Sequence, residues 1–274
     1  MNSIMFSIAP LMHLILFSCL LGLWVVLIYR PNRSLEEIGT RAGTYLALIY
    51  LAWIIGLVFW QKRIPVLNFS QMLILLGALI WWGQNFVQRR VRQRMLVIFP
   101  LAAVIVLLTS SLIIGVHPGE VQSVLKSNSA AFHISLSLAG IAFLLGSGVF
   151  GTGQLLLHRQ IKSRNFGRLF QFLPPLGDLN RLRQIALLSG WWLFTISMIS
   201  AFLWMYIEAS AEGPVVSHLH PMLTLWVVIS LSAAASRFNW LSQRRLAFSS
   251  AVLALLVFVL LLVSVIEIYS RGVA

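Results

Sequence analysis

Long apolar runs separated by short polar connections dominate this chain. Because a transmembrane helix needs about 20 mostly apolar residues, each run is a candidate membrane span. We predict eight spans, at residues 4–28, 42–60, 71–87, 95–115, 131–157, 186–207, 221–236 and 247–269. The run at 221–236 is the shortest of them. The pattern predicts an all-α, polytopic integral membrane helix bundle that forms a single transmembrane domain over residues 1–274.

The distribution of positive charge predicts how the spans are oriented. Of the 20 Lys and Arg residues, sixteen fall in the connections that follow spans one, three, five and seven. The other four are Lys62, Arg63, Lys126 and Arg271. The positive-inside rule then places both termini outside, in a multi-pass protein of the bacterial inner membrane. The net charge of +13 is thereby an orientation signal, so we expect the lipid bilayer, and no nucleic acid, as a partner.

Histidine is the residue type best suited to carry chemistry in this sequence. Five of the six histidines gather toward the predicted outer face: His13, His117, His133, His218 and His220. Imidazole is a common ligand of haem iron and other transition metals. His133 is the strongest candidate, because it begins an otherwise apolar or small-residue helix at membrane depth. The pair His218 and His220 is a weak metal motif by itself, and His13 is equally suited to hydrogen-bond within the bundle.

Glycines in the fifth predicted span indicate a close approach by another group. Gly140 is followed by a Gly146–Gly151 segment that fits the G-x-G-x-x-G spelling of a dinucleotide fingerprint. No strand precedes it and it lies inside a hydrophobic span, so we exclude a nucleotide site. The glycines admit either a neighbouring helix backbone, the more frequent cause, or a flat ligand. Trp226 is open to the same two interpretations, as a surface for a porphyrin ring or as helix packing.

Three segments resemble the cytochrome c assembly protein family. Residues 127–137 (SNSAAFHISLS) enter a glycine-rich helix as that family's histidine-bearing segment does, and residues 173–176 (LPPL) with 179–182 (LNRL) lead into an apolar helix. Trp240 followed by Arg244 and Arg245 is similar to the basic turn before the last span. The resemblance covers residues 120–270 and is to the shorter HemX/YpjD-like branch that lacks the tryptophan-rich motif.

That resemblance implies a non-enzymatic membrane protein that binds or presents haem at the outer, periplasmic side, together with other cytochrome-maturation proteins. His133 would be one axial ligand of the iron, with His220 or His218 opposite it. Gly140, Gly146 and Trp226 would admit the porphyrin plane. Two alternatives stay open: a cofactor-free scaffold or accessory subunit of an envelope complex, and a small-solute or metal-ion permease. The permease is less favoured because no ionisable residue lies in the middle of a predicted span.

Overall fold

The structure is a computed structural model that describes residues 2–30, 32–62, 69–91, 95–114, 128–164, 173–208 and 219–272. Over these residues it contains eight α-helices and no strand. The helices are α1 (Asn2–Tyr29), α2 (Arg33–Gln61), α3 (Phe69–Val91), α4 (Met95–Ile114), α5 (Asn128–Ser163), α6 (Leu176–Glu208), α7 (Leu219–Arg237) and α8 (Gln243–Gly272). Each of the eight predicted spans falls on one of these helices, so the predicted all-α fold is confirmed.

Six of these helices are long and apolar enough to cross a membrane: α1, α2, α4, α5, α6 and α8. The apolar stretch of α7 is shorter, Met222–Arg237, and α3 contains several buried polar side chains, among them Gln71 and Gln84. Large apolar side chains lie on the outside instead, with Phe59 and Ile113 each 79% exposed. Buried amides beneath exposed apolar side chains are the reverse of a soluble protein and suit contact with lipid chains. The chain therefore has the architecture of a multi-pass membrane bundle.

Local capping determines where several helices begin and end. The Asn32 side chain accepts a hydrogen bond from the Ser34 amide at 2.9 Å and so caps the start of α2, as expected of Asn at this position. Lys62 ends α2 in the left-handed conformation, with φ 52°. Pro175 directly precedes α6, and its carbonyl accepts from the Asp178 amide at 3.0 Å. Because α6 begins right after the proline pair, it starts ten residues before the predicted span at 186–207.

The chain divides into two compact units, Met1–Leu138 and Ala139–Ala274, with the division inside α5. In the first unit, α1 and α4 bury apolar side chains at intervals of three and four residues, which places them on one helix face. These residues are Phe17, Leu20, Trp24 and Leu27 in α1 and Val97, Leu101, Val104 and Leu108 in α4. The same core cluster contains side chains from α2 and α3, so four helices share one apolar interior.

Buried polar groups connect the helices of the first unit by hydrogen bonds. The Tyr50 hydroxyl donates to the Ile74 carbonyl at 2.8 Å, and the Trp81 indole donates to the Gly43 carbonyl at 3.1 Å. In the first bond the donor belongs to α2 and the acceptor to α3, and in the second bond the roles are reversed. An interhelical hydrogen bond of this kind is worth about 0.6 kcal/mol on average inside a membrane. The two hydrogen bonds therefore add little to the stability of the bundle. Their main effect is to determine which faces of α2 and α3 meet.

Candidate functional site

The candidate residues on α5 fall on both sides of the division between the units. His133 is half-buried in the second turn of α5 and belongs to the first unit. Gly140 and Gly146, like Trp226 on α7, belong to the second unit. His220 lies at the start of α7, and His218 lies outside the described residues. Among the described residues, no three His, Cys, Asp or Glu side chains come together as a metal-binding group.

The space beside Gly140 is filled by a neighbouring helix. A Cβ added there would lie 3.1 Å from the Phe194 nitrogen and 3.3 Å from the Gly190 carbonyl oxygen, both in α6. The approach is mutual, because a Cβ at Gly190 would lie 3.1 Å from the Gly140 carbonyl oxygen and 2.9 Å from the Leu144 side chain. Two backbones meet here at a glycine pair, which is how small residues let membrane helices approach closely.

A second close approach brings α8 against the glycine-rich segment of α5. A Cβ at Gly151 would lie 2.6 Å from the Ala247 carbonyl oxygen, and one at Gly148 would overlap the Ala254 side chain. Ala247 and Ala254 share one face of α8 because they are two turns apart. The small residues of the two helices therefore face each other, so the frequent cause of such glycines, helix packing, applies at Gly148 and Gly151.

Gly146 differs from its neighbours. No atom of the residues that the structure describes would lie within 4 Å of a Cβ added at this position. The residue is half-buried, and its open side faces neither α6 nor α8 at contact distance. Of the two α5 glycines that the sequence singles out for a ligand, Gly140 is filled by α6, and Gly146 has no neighbour within 4 Å among the described residues.

Trp226 takes part in a hydrogen-bond network between α6 and α7. Its indole donates to the Thr195 hydroxyl at 3.0 Å, and the Trp191 indole donates in the opposite direction to the Ser230 hydroxyl at 2.9 Å. The Thr195 hydroxyl in turn donates to the Trp191 carbonyl at 2.8 Å. Each tryptophan thus reaches across to the other helix. The sequence shows these tryptophans, but only the fold shows which hydroxyl groups they bond to.

His13 lies in an aromatic cluster of the first unit. Its ring centroid is 4.8 Å from that of Tyr50 and 5.1 Å from that of Trp53, and the residue is 5% exposed. Nδ1 donates to the Ala9 carbonyl one turn earlier, at 2.7 Å. Nε2 is buried and has no partner among the described residues. With the proton on Nδ1, the Nε2 lone pair is left to accept a hydrogen bond or bind a metal.

Arg183 is a buried cation that the sequence places among the orientation signals. In the structure it lies in α6 and is 1% exposed. One guanidinium nitrogen donates to Asn180 Oδ1 at 2.8 Å, and the other lies 3.3 Å from the Ser250 hydroxyl and 3.5 Å from the Leu246 carbonyl oxygen. All of these acceptors are neutral. The Asn-x-x-Arg spacing at a helix start is the only sequence signal for this contact, and it is a weak one.

Comparison with protein-family models, curated proteins and solved structures finds no match to this chain.

Proposed function

We propose that this chain is a non-enzymatic protein of the bacterial inner membrane, of the cytochrome c assembly type, that binds or presents haem at the outer side. The proposal includes eight membrane spans with both termini outside, since that arrangement gathers sixteen cations on the cytoplasmic side. Its expected partners are haem and other membrane proteins of cytochrome maturation.

His133 is the observation that carries the proposal. Its imidazole is half-buried two turns into α5, within the apolar stretch Ala130–Ser163. A titratable side chain in such a stretch is a functional candidate by default, because leaving it at membrane depth costs free energy. Imidazole is also the usual proximal ligand of haem iron.

The other residues that the sequence predicts for the haem site fit a haem in part. Gly146 leaves open space at α5, whereas Gly140 is filled by α6 and the Trp226 indole is hydrogen-bonded to Thr195. Gly146 lies thirteen residues from His133 on α5, about 20 Å along the helix at 1.5 Å per residue, which is too far to border the same porphyrin. The proposal therefore depends on His133, with His220 or His218 as the second residue that would hold the haem. The imidazoles of His133 and of His220 or His218 would hold the haem, which would supply a redox-active iron, and the chain would bind and orient it without itself making or breaking covalent bonds.

The test is an absorption spectrum of the protein purified in detergent after expression with added haem. We expect a Soret band in the wild type that is lost in His133→Ala and kept in His158→Ala. His158 is a matched control, because it is also half-buried and lies on the same helix, near its other end. A wild type without a Soret band, or equal spectra for the two variants, would contradict haem ligation by His133.

A second candidate function, a cofactor-free scaffold or accessory subunit, is favoured by the glycine contacts. Gly140, Gly148 and Gly151 all serve helix packing, which leaves fewer groups for a ligand. Under this function a stoichiometric partner co-purifies from the native membrane, and His133→Ala pulls down as much of it as the wild type does. Loss of the partner in that variant would count against the scaffold.

A further inference from the structure

An exposed aromatic pair forms the turn between α7 and α8. Phe238 and Trp240 are each 65% exposed, and their rings stack with centroids 5.6 Å apart and planes inclined by 19°. The turn connects two apolar helices, so it lies where a membrane helix would leave the hydrocarbon. Trp and Tyr rings concentrate at the headgroup level of membranes, and the Trp240 indole is such a ring. The pair is therefore placed to contact lipid at the interface.

Main-chain hydrogen bonds fix the turn that presents this pair. The Phe238 amide donates to the Ala234 carbonyl at 2.9 Å, and the Trp240 amide donates to the Ala235 carbonyl at 3.2 Å. Asn239, between the two rings, adopts the left-handed conformation with φ 54°, which Asn tolerates better than most residues. The stacked rings thus project from a defined backbone.

Three exposed arginines flank the aromatic pair in the sequence. Arg237 ends α7, and Arg244 and Arg245 lie in the first turn of α8. That first turn contains no acidic residue, and none of the three arginines forms an ion pair within the described part of the chain. A helix start is the positive end of the helix dipole, where cations are unfavourable and anions are stabilised. The charge here is complementary to an anion.

Arg183 adds a buried positive charge next to the same helix start. Its guanidinium contacts the Leu246 carbonyl and the Ser250 hydroxyl in the first turns of α8. Its Nε is buried and has no partner among the described residues. Its acceptors are all neutral, so no carboxylate in the described part of the chain pairs with this buried charge. The positive potential at the start of α8 therefore exceeds that of the three surface arginines alone.

We propose that the α7–α8 turn is a binding site for the phosphate headgroup of an anionic phospholipid. Arg237, Arg244 and Arg245 would bind the phosphate oxygens, for which the planar guanidinium has matching donor geometry. Phe238 and Trp240 would lie against the glycerol and upper acyl chain. The exposed aromatic pair favours a lipid over a soluble phosphate. A lipid has an apolar part that can pack against the two rings, whereas a soluble phosphate has none. This inference rests only on contact with a bilayer and not on haem binding.

The test uses native mass spectrometry of the full chain titrated with phosphatidylglycerol or with neutral phosphatidylcholine. The triple variant R237Q/R244Q/R245Q is compared with the control R159Q/K162Q/R164Q. The control removes as much exposed charge, but at the C-terminal end of α5. We expect the wild type to bind phosphatidylglycerol more tightly than phosphatidylcholine. The first variant should weaken that binding about fivefold for each arginine removed, and the control should leave it unchanged.

Two further arms distinguish a lipid site from a general preference for anions. F238L/W240L keeps apolar bulk but removes the stacked rings, and we expect it to weaken phosphatidylglycerol binding while the arginines remain. Glycerol phosphate at millimolar concentration should not displace the lipid. Equal weakening in the two arginine variants, no effect of F238L/W240L, or displacement by glycerol phosphate would each overturn the proposal.

Discussion

Placing a methyl group on the α5 glycines tests the packing of the second unit directly. Alanine at Gly151 would bring its Cβ to 2.6 Å from the Ala247 carbonyl oxygen, and alanine at Gly148 would overlap the Ala254 side chain. Alanine at Gly146 would meet no atom within 4 Å in the described part of the chain. The three positions lie within two turns of one helix, so Gly146→Ala is a matched control for the other two substitutions.

The expected change in the free energy of unfolding follows from two opposing contributions. Alanine in a helix interior is favoured over glycine by about 1 kcal/mol, and this gain is common to all three variants. Overpacking of a filled interface costs about 1–3 kcal/mol. We therefore expect Gly146→Ala to be neutral or slightly stabilised, and Gly148→Ala and Gly151→Ala to be about 1–3 kcal/mol less stable than this control. At about 2–4 °C for each kcal/mol, the difference in Tm is at least a few degrees.

The assay is thermal unfolding in detergent, followed by far-ultraviolet circular dichroism. The prediction concerns the order of the three variants when all are measured in the same detergent. If Gly148→Ala and Gly151→Ala melted together with Gly146→Ala or above it, α8 would not approach α5 at these residues, and the packing account of the glycines would be refuted.

Three other outcomes follow from the same structure. Trp226→Phe should lower the free energy of unfolding by about 0.5–1.5 kcal/mol through loss of the bond to Thr195, and in a double-mutant cycle with Thr195→Val the double variant should lose less than the sum of the two single losses, because both substitutions remove that bond; full additivity would contradict the bond. Arg183→Ala should destabilise the second unit by about 2–5 kcal/mol because it empties a buried volume, whereas Arg183→Met, which refills that volume without charge, should cost clearly less; equal losses would contradict this explanation. A C-terminal alkaline phosphatase fusion should be active and the matching green fluorescent protein fusion dark, and the opposite pattern would reverse the proposed orientation.

The helices could be predicted from the sequence because apolar run length is a local property. A chain surrounded by lipid has to satisfy its backbone polar groups internally, so each long apolar run becomes a helix. The positions of the helix ends were harder to predict from the sequence. The α5 helix continues to Ser163, past the predicted end at 157, and α6 starts at Leu176. The parts of α5 and α6 that extend beyond the predicted spans are polar, so the hydropathy pattern does not reveal them. Their ends depend on local capping.

The candidate site could be predicted only in part. Spacing alone indicates that Gly140 and Gly148 admit a close neighbour, but which helix fills the space depends on contacts far apart in the chain, with Gly190 and Ala254. The burial of Arg183 could not be predicted from the sequence either. An arginine near the end of a span looks the same in the sequence whether it is an exposed orientation signal or is buried inside the protein. The relation of His133 to His218 and His220 stays a prediction.

The haem content of the purified chain tests the proposed function most directly. A pyridine haemochrome measurement on protein expressed with added haem gives the ratio of haem to protein independently of the Soret intensity. The proposal predicts a ratio near one for the wild type and for His158→Ala, and a ratio several-fold lower for His133→Ala. A wild-type ratio near zero under haem-replete expression would contradict the proposal.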